Sequence, residues 1–394
     1  MFEEKLMDRI AILAPELIQM SDYIFDQSEL GNQEFKSSAA IMDFLAKEGF
    51  SVESGIAGLP TAFRAVWEKG TGGPSIGFLC EYDAIEGMGH ACGHHMQGPV
   101  AAGAAVAVKT CLDVPACKLV VYGTPAEETA CEKVRMVREG CFNDIDVALM
   151  FHGNPTTSYD VDSLAMNSFN VAFHGKSAHA AIAPEDGRSS FDALLLSFQA
   201  IEFMREHVKD DVRMHYTVLD AGGPANVVPS KAVGNFVLRS YNREYLNQVV
   251  ERFKKIVTGA ALMTETTCEI QETKSLDNRI GVPHLNALLM RHAQERNAPR
   301  ISPPREKNGS SDFGNVMYRL PGACLRVAFV PEGTSSHTKA FFDAGKSGDA
   351  HRAVILGAEI LSLTARDLIC CQEDLETVKE EFAKIKAALD TNRA

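Results

Sequence analysis

Glu81-Tyr82-Asp83-Ala84-Ile85-Glu86-Gly87-Met88-Gly89-His90-Ala91-Cys92-Gly93-His94-His95 decides how the rest of this chain is read. The stretch packs three histidines, one cysteine and three carboxylates (Glu81, Asp83, Glu86) together. A mostly apolar run, Ser75 to Cys80, leads into it, and a small-residue helical pattern, Gly98 to Val108, leads out. Open α/β sheets put their active sites at such junctions, between the end of a buried strand and the start of a helix. The residue types are those of metal ligands. Cys92 and His94, one glycine apart, can converge on one ion or on two neighbouring ions.

Outward from this stretch, helix and strand alternate. Glu3 to Phe25 carries apolar residues at helical spacing (Ile10, Leu13, Leu17, Met20, Ile24). Ser37 to Lys47 reads as a second helix with Ser37 or Ser38 as its cap. Thr61 to Trp67, Ser75 to Cys80, Lys118 to Tyr122 and Asp146 to Met150 read as strands, and Gly98 to Cys111 as a helix. This alternation argues for an α/β fold with a mainly parallel sheet. From about Ser168 the order changes to strand Ser168–His174, helix Ser190–His207, strands Arg213–Asp220 and Lys231–Arg239, helix Arg243–Thr264 and strand Cys268–Ser275. That β-α-β-β-α-β order is ferredoxin-like and has the length of a domain inserted into a larger one. The expected division is therefore 1–166 with 279–394 for the larger domain and 167–278 for the insertion. From Pro283 the helix-strand alternation resumes, and the chain ends in helices, roughly Asp349 to Cys371 and Glu373 to Leu389.

Composition narrows the function. A chain of 394 residues, 45% hydrophobic and 23% charged, is ordinary for a globular protein with a large core. The net charge of -13 leaves no basic stripe to meet phosphates, which argues against a nucleic-acid partner. Met1-Phe2-Glu3-Glu4-Lys5 lacks the basic start of a signal peptide, and Val100 to Val108, the longest apolar run, is too short to span a bilayer. Ten cysteines without a secretion signal point to a reducing compartment, so a cytoplasmic location without membrane contact is expected.

Four separated segments bring ligand-type residues to strand ends: Cys92-Gly93-His94, Gly123-Thr124-Pro125-Ala126-Glu127-Glu128, His152-Gly153, and Gly333-Thr334-Ser335-Ser336-His337. C-terminal strand ends in a parallel sheet share one edge, so residues distant in sequence can meet there. Each piece alone has a bland explanation: a satisfied polar histidine, a glutamate pair at a helix start, a buried thiol, a turn aspartate at Asp83. Their coincidence after four strands points to a metal site. In the glutamate pair, one carboxylate can hold metal while its neighbour accepts a proton from polarised water and passes it to a leaving nitrogen.

These motifs, with His174-Gly175-Lys176-Ser177-Ala178-His179-Ala180, Gly187-Arg188-Ser189-Ser190 and Gly309-Ser310-Ser311-Asp312-Phe313-Gly314-Asn315, resemble the amidohydrolase branch of the aminoacylase / carboxypeptidase-G metallopeptidases. They occur in family order along nearly the whole chain. Within the branch the likeness is to aminobenzoyl-glutamate hydrolases and Xaa-Arg dipeptidases. The resemblance implies two divalent ions, Zn or Mn, held by Cys92, His94, Glu128, His152 and His337, with Cys92 as the bridge. It makes Glu127 the general base and acid, and Asp83 the residue that orients a ligand. It also sends His179 of the inserted domain to the active site of the partner subunit, to stabilise the oxyanion, and gives Asn226 and Arg239 the substrate's carboxylate. The inserted domain becomes a lid and dimerisation domain, and the protein a homodimer. One departure stands out: His95 occupies a position where the branch often has Asp or Asn, which either alters the surroundings of the ligands or adds a competing metal site.

The expected activity is cleavage of the amide of an N-acyl amino acid or dipeptide, aminobenzoyl-glutamate-like or Xaa-basic, in a two-metal site. An N-acetyl amino-acid deacetylase is the alternative within the class. A non-catalytic binding subunit is the alternative outside it, and the presence of Glu127 with the full ligand set argues against it. A structural zinc protein is disfavoured, because such sites usually use closely spaced Cys-x-x-Cys ligands.

Overall fold

The computed structural model describes residues 2–160, 162–304 and 309–391. In chain order the elements are α1 (Phe2–Gln27), α2 (Phe35–Lys47), β1 (Ser51–Ser54), β2 (Phe63–Lys69), β3 (Ser75–Cys80), α3 (Gln97–Cys111), β4 (Cys117–Gly123), α4 (Lys133–Arg138), β5 (Val147–Asn154) and β6 (Ser158–Tyr159). There follow β7 (Ala165–His174), α5 (Ser190–Arg205), β8 (Arg213–Asp220), β9 (Lys231–Ser240), α6 (Arg243–Met263) and β10 (Thr267–Leu276). The remainder is α7 (Pro283–Glu295), α8 (Phe313–Met317), β11 (Gly322–Ala328), α9 (Lys339–Asp343), α10 (Gly348–Cys370) and α11 (Gln372–Thr391). The chain divides into two compact units, one of Met1–Asp162 with Arg279–Ala387 and one of Ser163–Asn278 with the residues from Ala388.

The first unit holds a sheet of order β1-β2-β4-β3-β5-β11-β6 among the described residues. Its centre, β4-β3-β5-β11, is parallel. Its margins are antiparallel, with β1 on β2, β2 on β4 and β6 on β11. The sheet is therefore mixed, and the parallel centre is the part that places four strand C-termini on one edge. β3 is buried at every position, Ser75 through Cys80, as expected of a central strand covered on both faces. α1, α3 and α10 supply much of the covering layer, and their apolar residues form one cluster with β3, β5 and β11. Each fully buried Leu, Ile or Val there contributes about 1.5–3 kcal/mol. Gly103 makes the close approach possible: a Cβ at that position would lie 2.6 Å from Leu17 Cδ1.

Two local expectations differ from the structure. α2 begins at Phe35, and neither Ser37 nor Ser38 caps it. Instead the Glu29 carboxylate accepts from the Lys36 and Ser37 backbone N–H groups at 3.0 and 2.8 Å, so a residue from the preceding turn satisfies the helix start. β5 continues past Met150 to Asn154, so His152 is a strand residue, with Arg326 of β11 as its register partner.

The second unit has the expected β-α-β-β-α-β order, with an antiparallel sheet of order β10-β7-β9-β8. α5 and α6 carry its core, in which Leu194, Ile201, Leu246 and Phe253 pack with Phe169 and Phe236 of the sheet. α5 is capped by Ser189 and α6 by Asn242, each accepting the backbone N–H three residues on. Among the described residues no helix is long and apolar enough to cross a membrane.

Candidate metal centre

The parallel edge of the first unit carries a cleft of about 330 Å³, lined among others by Cys92, His94, Glu127, Glu128, His152 and His337. Gly93 turns the chain between the first two of these. Its φ of +85° is one that glycine adopts without a steric penalty, and it brings Cys92 and His94 onto the same ion-sized space. The second segment leaves β4 at Gly123, where Thr124 is pinned to Cys80 O by its backbone N–H (2.9 Å) and its hydroxyl (3.0 Å). Ala126 then takes a φ of +57°, a strained conformation for a residue with a Cβ. The buried carboxylate of Glu34 accepts the Ala126 N–H at 2.8 Å and the Thr61 hydroxyl at 2.8 Å, so it holds the turn that presents Glu127 and Glu128.

Asp83 joins two segments. Its Oδ1 lies 3.0 Å from His94 Nδ1, and its Oδ2 accepts the Glu128 N–H at 2.9 Å. With acceptors alone around it, His94 Nδ1 carries a proton, and Nε2 turns to the cleft. His152 is held the same way: its Nδ1 faces Gly153 O at 2.8 Å, and its Nε2 lies 3.6 Å from Cys92 Sγ. His337 Nε2 is 3.2 Å from Glu128 Oε1, and the His337 N–H is anchored on Ala91 O at 2.9 Å.

Besides His94, Glu127 and Glu128, whose donor atoms also lie within 4.8 Å of one another, two triads meet that limit around the cysteine: Cys92, His94 and His152, and Cys92, Glu128 and His337. Cys92 belongs to both. Glu128 Oε1 is buried and makes no hydrogen bond, with His337 Nε2 3.2 Å away. Such an orphaned carboxylate oxygen beside a thiol and imidazoles fits a divalent cation. Burial pushes the Cys92 thiol up to about 12. Burial, then Arg326 and His94, push His152 down to about 3, so it is a neutral imidazole with Nε2 open. Burial opposes charge on His94, yet Cys92, Glu81 and Asp83 outweigh it and hold its pKa well above the ordinary value.

Beneath this lies a buried lysine that sequence reading missed. Lys133 Nζ contacts Glu81 Oε1 at 2.6 Å and Asp312 Oδ1 at 2.7 Å. Glu81, Glu127 and Asp312 also approach within 4.8 Å of one another, but the ammonium already serves that group. Burial, with the charges of Glu81 and Asp312, pushes Glu127 up to about 8. Arg279 and Arg326 also line the cleft, and both reach the buried Asp160. Lys133 carried no signal, since it sits among the charged residues Glu132, Arg135 and Arg138. Arg326 had one: it is a lone charge in the apolar strand Gly322–Ala328.

His95 is not part of either triad. Its Nε2 faces Gly345 O at 2.9 Å, and its ring packs edge-on against Phe25. In the second unit His179 and Asn226 are exposed neighbours: His179 bridges Val227, and Ala180 N donates to Asn226 O at 3.1 Å. Arg239 is half-buried near the far end of β9, eight residues and roughly 26 Å of strand from Lys231, so the same unit does not bring it to Asn226.

Residues 165–264 match the model of a peptidase dimerisation domain. The chain is 30% identical over 390 residues to the Xaa-Arg dipeptidase of Homo sapiens, covering 94% of this chain and 89% of that protein. It is also 30% identical to one component of the p-aminobenzoyl-glutamate hydrolase of Escherichia coli, covering 93% of this chain and 92% of that protein. The chain belongs to the M20 peptidase/amidohydrolase family. A dinuclear metal-binding M20 peptidase from Bacillus subtilis shares the fold, with a TM-score of 0.69 at 18% identity over 91% of this chain and 99% of that one. The M20 relationship and the donor clusters together make this a metal-dependent hydrolase of amide or peptide bonds in small substrates. The same clusters mark a two-metal type of centre. The second unit of this M20 enzyme is the inserted ferredoxin-like dimerisation domain.

Proposed function

We propose that the protein is a cytoplasmic, homodimeric amidohydrolase that cleaves N-acyl amino acids or dipeptides, of the aminobenzoyl-glutamate or Xaa-basic kind, with two Zn or Mn ions. The observation that carries this is the sharing of Cys92 by two donor triads. Cys92, His94 and His152 would hold one ion, and Cys92, Glu128 and His337 would hold the other. Thiolate and imidazole suit zinc, while the carboxylate admits manganese. When bound, the ions polarise the amide carbonyl and lower the pKa of water.

The chain's own groups do the rest. Glu127, beside Glu128 and over the cleft, accepts the proton of the attacking water and delivers it to the leaving nitrogen. Asp83 fixes the His94 ring and the Glu128 backbone. His179 from a partner subunit donates to the oxyanion. Asn226 and Arg239 hold the substrate carboxylate. Because Asn226 lies in the loop before β9 and Arg239 near the far end of that strand, they hold one carboxylate only if they come from different subunits. The match to a dimerisation domain supports the homodimer, with 1–166 and 279–394 catalytic and 167–278 as lid. Ten free cysteines support a reducing compartment.

The test is hydrolysis of a panel of N-acyl amino acids and dipeptides by protein stripped of metal and resupplied with Zn or Mn. Metal-restored turnover is the expected result. Tight binding of two ions without turnover of any member would favour a non-catalytic binding role instead.

A further inference from the structure

Among the cleft-lining groups that metal binding and proton transfer leave unused is a strand-borne guanidinium, that of Arg326. Arg326 is the register partner of His152 on the neighbouring parallel strand. Register partners in a parallel pair point to the same face and lie about 4.8 Å apart. The guanidinium therefore stands beside a metal-ligand histidine, and it lines the same cleft.

Arg326 is held rigidly from behind. Its Nε pairs with Asp160 Oδ1, and its Nη2 lies 3.3 Å from Asp160 Oδ2. Asp160 is buried and is fixed again by Arg279 Nη1 at 2.5 Å. This side-on pairing occupies Nε and one edge of Nη2. Among the described residues no group takes Nη1, and the guanidinium keeps that end for the cleft. A clamped guanidinium with an open end is a preorganised receptor for a carboxylate, because its fork is planar and the ordering cost has already been met. The same fixed charge repels an ammonium or a second guanidinium. Of the acidic side chains of the cleft, Glu81 is engaged by Lys133, and Glu127 and Glu128 are those assigned to proton transfer and to metal.

We propose that Arg326 is a specificity residue that binds a side-chain carboxylate of the substrate, so that the preferred substrates are amides of dicarboxylic amino acids rather than Xaa-basic dipeptides. This rests on the amidohydrolase reading above and chooses between the two substrate classes it contains. Asp160 acts through Arg326 as a positioning residue. An Arg326–Asp160 pair that serves only to tie β6 to β11 would affect all substrates alike, which makes the two roles separable.

The experiment uses three probes of one acyl group, N-benzoyl-glutamate, N-benzoyl-glutamine and N-benzoyl-lysine. Affinities are measured by calorimetry on metal-loaded Glu127→Gln protein, where turnover does not interfere, and KM and kcat on the active enzyme. The expected order of affinity is glutamate, glutamine, lysine. Arg326→Met should weaken N-benzoyl-glutamate by about 10- to 100-fold, the size of a charge-assisted hydrogen bond, and bring it level with N-benzoyl-glutamine. The loss should appear in KM, with kcat held within about threefold. Arg326→Lys, which keeps the charge but loses the fork, should fall between wild type and Arg326→Met. Equal binding of the three probes by the unsubstituted Arg326 protein overturns the proposal, and so does a parallel loss on all three in Arg326→Met. Binding order and turnover are read separately. An Arg326-dependent order without hydrolysis would sink the amidohydrolase reading and leave the carboxylate site standing.

Discussion

Asp83→Asn tests how the two donor triads are tied together. Asp83 offers two oxygens to two donors, the His94 ring at 3.0 Å and the Glu128 backbone at 2.9 Å, and it is buried. Asparagine has nearly the same shape but a single oxygen. Whichever donor it keeps, the other faces an NH2 group. If His94 loses its acceptor, the ring is free to change tautomer and its Nε2 no longer stays aimed into the cleft. If the Glu128 N–H loses its acceptor, the turn carrying both glutamates shifts. A hydrogen bond to a charged, buried acceptor is worth about 1.5–3 kcal/mol. Loss of an orienting partner typically lowers metal affinity by about 10- to 100-fold, which is the same range expressed as binding. The expected result is a loss of that size at both ions, because Asp83 touches a member of each triad. Competition with a chromophoric chelator, titrated separately with Zn and Mn, measures it. Unchanged affinity for both ions in a folded Asp83→Asn protein would refute the reasoning.

Glu127→Gln should retain both ions and lose at least about 100-fold in kcat, and His179→Ala should lose turnover with metal intact; metal analysis beside steady-state kinetics checks both. Gly93→Ala forces a Cβ into a φ of +85° and to within 3.1 Å of Met96 Cε, so a loss of roughly 1–2 kcal/mol in urea-unfolding stability with weakened metal binding is expected. Asp160 feels burial, yet Arg279 and Arg326 hold its carboxyl down from 3.8 to about 2. Its folded value lies below its unfolded one, so the stabilisation, roughly 2 kcal/mol, is full above about pH 4 and is lost as the pH falls through about 2. Unfolding free energies of wild type and Asp160→Asn should therefore converge across that acid window, and a constant gap would contradict the assignment.

Legibility in the sequence followed the range of the interactions. Cys92, Gly93 and His94 lie within one turn, so their chemistry could be read locally, and the four strand-end segments could be aligned because parallel strands share an edge. The inserted unit was legible because its helices and strands differ in period. Other features depend on partners far along the chain. The acceptor at the start of α2 is Glu29, reached through an intervening turn, whereas Ser37 and Ser38 carried the local capping signal. The margins of the sheet run antiparallel, yet strand direction leaves no mark on the apolar pattern of β2. Lys133 is fully buried between Glu81 and Asp312, 52 and 179 residues away, and nothing in its neighbourhood distinguishes it from a surface lysine. His95 stands next to a donor residue in sequence and yet turns to Gly345, because the short helical turn His94–Met96 sends successive side chains in different directions.

The pairing of Asp160 with Arg279 has a consequence for chain topology. These residues flank the inserted unit, and Gly281 N also reaches Asp162 Oδ1 at 3.3 Å. The two crossing points of the chain are thus stapled within the first unit, and about 116 residues between them form a closed loop. Closure of so long a loop costs entropy that grows only as the logarithm of its length, so most of that cost would remain if the loop were shortened several-fold. The first unit is accordingly built to fold around whatever joins Asp162 to Arg279, and a short glycine-serine bridge in place of the insertion should leave its sheet and its cleft assembled.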